Sequence, residues 1–215
     1  MSKRFETLLS LIPDCEVFAD VGCDHGYIAY EMLKNRKCDR VIASDISAEC
    51  LQKAETLLRE TFPDKYTAVV SDGFENVGNC DCALIAGMGG DTIADILAAA
   101  AGRLPEYLVL QPMKNSQRVR RDLVFLDYEI LRDYTFRDGK FYDVILAKKG
   151  GNETYTADDY VYGRDNLIEK SEDFVALVNS RIDELKDAKE KASETSKNEI
   201  DKRINELERD RKSVV

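Results

Sequence analysis

With 215 residues, 44% of them hydrophobic and 33% charged, the chain is long enough for one well-buried domain and a smaller appendage and has the composition of a soluble globular protein. No run approaches eighteen apolar residues, and the opening Met1-Ser-Lys-Arg-Phe-Glu6 lacks the apolar core of a signal peptide, so a membrane span is excluded and a cytoplasmic protein is expected. A net charge of −10 argues against nonspecific coating of nucleic acid and leaves any RNA contact to a local basic patch, while six scattered cysteines without a Cys-x-x-Cys pair and a single histidine argue against a bound metal.

The first 150 residues alternate helix and strand patterns. An amphipathic helix near 3–11 precedes a strand at 17–21 and a helix at 25–36, whose Ile28, Met32 and Leu33 share one face. A strand at 40–45 leads to Ser47 as N-cap of a helix at 48–61 that Pro63 ends. Then follow a strand at 66–71, a loop at 72–79, a strand at 82–86, a helix at 91–101, a strand at 107–110 and a helix at 115–125. Five strands separated by helices predict a parallel, doubly wound α/β sheet. Residues 127–137 and 139–148 are strand-like, with Asp138-Gly139 as a hairpin turn between them. Gly150-Gly151-Asn152 reads as a linker dividing a domain at 1–151 from one at 152–215. Beyond it, Phe174, Leu177, Val178, Ile182 and Leu185 form one apolar stripe, and Ile200, Ile204 and Leu207 form another. Both stripes keep phase, which favours an antiparallel helical coiled-coil hairpin with its bend near 191–198 over a charged, unstructured tail.

The segment Asp20-Val-Gly-Cys-Asp-His-Gly-Tyr27 carries the cofactor information, because it places a glycine turn between a strand and a helix. A P-loop would need Gly-Lys-Ser/Thr, and a dinucleotide fingerprint would need glycine where Asp24 stands; a carboxylate there repels a pyrophosphate. Carboxylates at 20 and 24 suit a cofactor with a cationic end. S-adenosylmethionine, with its ammonium and sulfonium, fits, although an ordinary strand-to-helix turn also matches the spacing.

Ligands of such sheets lie beyond the C-terminal ends of the strands, so each end can be read for its contribution. Asp45, followed by Ile46, is placed to accept ribose hydroxyls; Asp72 is placed for the adenine amino group, with Gly73 leaving room for the base. Ala86-Gly87-Met88-Gly89-Gly90 offers an open backbone where a reactive methyl would point. Gln111 is suited to reading a base edge. Lys114, Arg118, Arg120 and Arg121 form a local positive cluster, expected to touch RNA or else to be a solvated helix start. His25 serves either as a proton acceptor or in orienting the turn; Met88, Gly89, Gln111 and His25 are the positions expected nearest the chemistry.

A parallel sheet closed by an antiparallel hairpin resembles class I S-adenosylmethionine-dependent methyltransferases, a resemblance that implies a seventh strand inserted antiparallel between strands five and six. The set Asp20-x-Gly-x-Asp-His-x-Tyr27, Ala86-Gly-Met-Gly-Gly90 and Leu110-Gln-Pro112, followed by a charged helical C-terminus, resembles the bacterial tRNA (adenine-N1) methyltransferases that modify adenine 22 in the D-arm. That resemblance spans the whole chain. It implies S-adenosylmethionine as methyl donor, cofactor contacts from Asp20, Gly22, Asp24, His25, Gly26, Tyr27, Asp45, Ile46, Asp72, Gly73, Ala86, Gly87 and Met88, and a tRNA grip by the helical hairpin; a monomer is expected, though no residue pattern reveals the oligomeric state. Gly26 departs from the alanine of some relatives, a change expected to be harmless, and Met113 follows Gln-Pro where at least one relative has asparagine. A small-molecule methyltransferase and a cofactor-binding adaptor that docks proteins through the hairpin remain open from the residues alone.

Overall fold

The computed structural model describes residues 2–151, 154–191 and 194–214. Five strands, β1 (Cys15–Val21), β2 (Cys38–Asp45), β3 (Tyr66–Val70), β4 (Cys82–Met88) and β5 (Tyr107–Pro112), pair in parallel. The hairpin β6 (Tyr128–Asp138) and β7 (Lys140–Lys149) turns at Gly139 and completes one sheet in the order β3-β2-β1-β4-β5-β7-β6. The last strand is thus inserted antiparallel beside β5, as expected. Strand order reverses between β1 and β4, which is where a crevice opens in sheets of this kind.

Helices cover both faces, so the central strands are apolar along nearly their whole length: Cys82-Ala-Leu-Ile85 and Leu108-Val-Leu110 are fully buried. On one face α1 (Lys3–Leu11), α2 (Tyr27–Lys34) and α3 (Ala48–Thr61) pack Leu8, Met32 and Leu58 against Phe18 and Leu84. On the other, α4 (Gly90–Ala99) and α5 (Ser116–Phe125) pack Ile93, Leu97, Val119 and Leu123 against Ile85 and Leu110. Each such side chain contributes about 1.5–3 kcal/mol by leaving water, and together they fix the strand ends on which the site is built.

Helix α2 begins two residues later than its apolar pattern suggests, because Asp24 and Gly26 take left-handed φ values of 48° and 71° and prolong the turn. Beyond the sheet come α6 (Ala157–Tyr162), α7 (Arg164–Glu169), α8 (Glu172–Glu190) and α9 (Glu194–Val214). The first two of these were not expected as separate helices. They break at Gly163, whose φ is 88° and where a Cβ would meet Asp133 Oδ1 at 2.8 Å. Helices α8 and α9 run antiparallel around Phe174, Val178, Ile182 and Ile204, with Lys189 paired to Asp201 and Lys186 to Glu208. This is the expected hairpin, with a bend shorter than 191–198 because α9 already starts at Glu194. Part of that bend, residues 192–193, and Asn152 of the expected linker lie outside the described residues.

Candidate active site

The C-terminal ends of β1 to β4, roofed by the start of α1, enclose a cavity of about 610 Å³. It lies within the ~300–1,000 Å³ typical of small-molecule clefts. Asp20, Gly22, Asp24, His25, Tyr27, Asp45, Ile46, Asp72, Gly73, Ala86, Gly87 and Met88 all line it. So do Arg4, Thr92 and Ile96, which no sequence motif singled out.

The turn after β1 spends its own donors. Gly22 and Cys23 N–H both donate to the Ser44 carbonyl, at 2.8 and 2.9 Å, Gly26 N–H donates to Cys23, and Asp24 N–H donates to Asp45 Oδ2 at 3.1 Å. With these amides turned inward, the loop is not an anion cradle, and the wall it presents is carboxylate. Asp20 is buried and accepts from the Ala29 N–H in the first turn of α2, where Gly26 offers no side-chain cap. Burial pushes its carboxyl up to about 7, with the Asp45 charge adding and the Ala29 N–H opposing. The pocket therefore holds a costly buried acid that a cationic ligand would relieve.

Asp24 stands at the exposed rim, and its carboxylate meets His25 Nδ1 at 2.8 Å, a hydrogen bond that holds its pKa below the ordinary carboxylate range. The His25 ring in turn stacks parallel on Tyr27 with centroids 5.6 Å apart. Asp45 accepts from Ser47 N–H on one oxygen, at 2.9 Å, and from Asp24 N–H on the other, leaving a lone pair on each oxygen for hydroxyl donors. Ser71, buried after β3, bonds Asn76 N–H and the Gly73 carbonyl and so fixes the loop that presents Asp72. Ile46, 69% exposed, offers an apolar face beside Asp45.

Three expectations are corrected. Gln111 does not face the cavity as a base reader: it is fully buried, its Oε1 accepts from Arg4 Nε at 2.8 Å and its Nε2 donates to the Pro112 carbonyl. Arg120 is no RNA contact either. Only 1% exposed, it forms a bidentate pair with Asp133 at 2.8–3.0 Å and also donates to the Tyr160 carbonyl, tying α5 and β6 to the C-terminal helices. Gly26 is not interchangeable with alanine, since a Cβ there would lie 2.7 Å from Ala54 Cβ on α3 and the residue needs its positive φ.

The glycine run that closes β4 and opens α4 also divides its work. Gly87 and Met88 line the cavity, whereas Gly90 lets two loops meet: a Cβ on it would come within 2.4 Å of the Asn115 carbonyl, and its N–H donates to the Lys114 carbonyl at 2.8 Å. Gly89 sits between them as N-cap of α4, next to Lys114 and Thr92. Of the basic cluster, Arg118 pairs with Asp91 and Asp95, Arg121 is exposed over the Tyr160 ring, and Lys114 is exposed beside the cavity's β4 edge. Among the described residues no group of acidic, cysteine or histidine side chains could hold a metal, and no helix is long and apolar enough to cross a membrane.

A methyltransferase domain family matches residues 1–145. The tRNA (adenine(22)-N(1))-methyltransferase of Bacillus subtilis (strain 168) is 33% identical over 159 residues, which cover 71% of this chain and 67% of that protein. The crystal structure of the B. subtilis M1A22 tRNA methyltransferase TrmK superposes with a TM-score of 0.86 at 26% identity, covering 98% of both chains. TrmK of M. capricolum, in complex with the cofactor product S-adenosyl-homocysteine, superposes with a TM-score of 0.90 over 100% of this chain and 99% of its own; at 20% identity that likeness is one of fold.

Proposed function

The chain belongs to the tRNA (adenine(22)-N1)-methyltransferase family, and from that premise and the cavity's geometry we infer that it transfers the methyl group of S-adenosylmethionine to N1 of adenine 22 of tRNA. The observation that carries the cofactor assignment is the turn after β1: its Gly22, Cys23, Asp24 and Gly26 amides are consumed internally while Asp20, Asp24, Asp45 and Asp72 face the same cavity. Such a wall rejects phosphates and accepts an ammonium, ribose hydroxyls and an adenine amino group. In this reading Asp20 holds the ammonium, Asp45 the two ribose hydroxyls and Asp72 the adenine amino group, while Ile46 packs on the base. Asp24 and His25 hold each other at the rim and set the turn.

Bound there, S-adenosylmethionine supplies an electrophilic methyl group. Adenine N1 brings its own lone pair, so the protein's task is positioning rather than proton removal. Gly87 and Gly89 keep side chains off the β4 edge where the acceptor would approach, and Met88 borders that opening. Since N1 lies on the Watson–Crick edge, the base must first be freed from its pairing and stack. The carboxylates along the wall favour the positive charge that N1 methylation creates. Residues 1–151 act as the catalytic domain and 152–215 as a tRNA-contacting domain, with Lys114 and Arg121 exposed on the side between them. A tRNA substrate argues for a cytoplasmic enzyme, and a monomer is part of the same proposal.

The test is transfer of labelled methyl to an unmodified tRNA transcript and to the same transcript carrying guanine at position 22. Label should enter the first and not the second. Equal labelling of both would overturn the assignment of the acceptor.

A further inference from the structure

The protein carries a net charge of −10, and the cavity described above is lined by four aspartates. A nucleic-acid strand that delivers a base there brings phosphates with it, and at physiological ionic strength only charges within about 8 Å act on them strongly. Cations that hold such a strand must therefore stand close by.

A second cavity, of about 310 Å³, opens between the end of β5, the hairpin strand β7 and the helices α8 and α9. Lys114, Arg181 and Arg203 converge on it from the loop after β5, from α8 and from α9. Among the described residues none of the three forms an ion pair or a side-chain hydrogen bond. Elsewhere the cations are spent: Arg118, Arg120 and Arg132 are held by carboxylates, and nearer the bend of the hairpin Lys189 is paired with Asp201 and Lys186 with Glu208. Asp143 is the one acid lining this cavity among the described residues, and its charge is already engaged. Ser116 Oγ and Thr135 Oγ1 each donate to it at 2.6 Å, and Arg120 Nη2 lies 3.7 Å away.

The cavity adjoins the opening at the end of β4, since a Cβ on Gly89 would lie 3.4 Å from Lys114 Cε. On its other side it runs into a larger cavity of about 770 Å³ that shares Arg181 and Arg203 but adds three acids, Asp158, Glu184 and Glu206, against one cation, Arg209. The positive stretch is therefore short, begins beside the opening and ends where acids begin.

We propose that Arg181 and Arg203, one from each arm of the helical hairpin, hold with Lys114 a backbone phosphate of the tRNA strand next to the adenosine presented to the cavity, so that the hairpin grips RNA at the middle of its arms and not at its tip. The proposal rests on the reading of the protein as a tRNA methyltransferase. A guanidinium suits a phosphodiester because its parallel N–H groups match the two non-bridging oxygens, and Arg181, half-buried in a cavity it shares with Leu177 and Phe141, has less rotamer freedom to lose than an exposed side chain.

Filter binding of an unmodified tRNA transcript to wild-type protein, Arg181→Met, Arg203→Met and Lys202→Met tests it, with titration of S-adenosylhomocysteine as a check on the fold. Lys202, next to Arg203 on α9, lines neither cavity, so its replacement removes the same charge without touching the site. Each arginine variant should bind the transcript about 5- to 30-fold more weakly and show a slope of log affinity against log salt reduced by about one, with S-adenosylhomocysteine affinity within about twofold of wild type. Lys202→Met should change transcript affinity by less than about twofold. Transcripts carrying a neutral methylphosphonate at either linkage flanking position 22 locate the contact: at the linkage that is held, the wild-type protein should lose about what Arg203→Met loses, and the variant should lose little more. An equal loss in Lys202→Met, unchanged affinity in both arginine variants, a parallel loss of S-adenosylhomocysteine affinity, or independent effects of variant and methylphosphonate at both linkages would overturn the proposal. A transcript held with this arginine dependence but left without a methyl group at position 22 would instead refute the activity and leave the phosphate site standing.

Discussion

Asp20→Asn separates what the buried acid does for binding from what it costs the fold. The Asp20 carboxyl is pushed up to about 7 from an ordinary 3.8, chiefly by burial. Between those values the folded protein keeps a proton that the unfolded chain releases, so stability falls as pH rises through that window and the cost is complete above about 7. At ~1.4 kcal/mol per pH unit, that gap corresponds to roughly 4 kcal/mol. Asparagine removes the charge and retains an oxygen for the Ala29 N–H that caps α2. The ligand-free variant should therefore be more stable than wild type by about 2–4 kcal/mol at pH 8, with the gain shrinking towards zero near pH 4. Urea denaturation at the two pH values measures this. The same variant should bind S-adenosylhomocysteine about 10- to 100-fold more weakly at pH 8, because the ammonium loses its carboxylate. Wild-type affinity should decline below about pH 7, by up to tenfold per pH unit, and the decline should flatten in the variant. A variant no more stable at pH 8 than wild type, with unchanged affinity and the same pH profile, would refute the reasoning.

Other substitutions probe the corrected positions. Arg120→Met leaves Asp133 charged and buried without its partner, which should cost about 3–5 kcal/mol in urea denaturation; a loss of tRNA affinity at unchanged stability would show that Arg120 is an RNA contact after all. Gly26→Ala meets both a φ of 71° and the Ala54 methyl, so it should destabilise by about 1–3 kcal/mol, and an unchanged melting midpoint would contradict the packing described at α3. Lys114→Ala should weaken tRNA binding and lower the slope of log affinity against log salt by about one while leaving S-adenosylhomocysteine binding intact; an unaltered slope would remove Lys114 from the RNA interface.

What the sequence made legible was local. The turn from Asp20 to Tyr27, the acidic residues closing β1 to β3 and the hairpin at Asp138-Gly139 are each written in a few consecutive residues, and the topology rules for parallel sheets bring the strand ends together. What stayed hidden depended on partners distant along the chain. Arg118, Arg120 and Arg121 look alike in sequence, yet α5 turns Arg120 inward onto Asp133, whose position depends on how β6 pairs with β7. Arg4 and Gln111 are 107 positions apart and meet only because α1 folds over the end of β5. Gly90 read as one more open glycine, and its need for close approach comes from the Lys114 and Asn115 carbonyls in the loop after the neighbouring β5. The split between α6 and α7 likewise follows from Gly163 lying against Asp133, which no helical periodicity reveals.

Mass spectrometry of nuclease digests of tRNA after incubation with the purified protein and S-adenosylmethionine tests the central claim most directly. The account predicts a single methyl group, located at position 22 and running as 1-methyladenosine. A methyl at another position, on the exocyclic amine of adenine, or absent from every tRNA offered would contradict it.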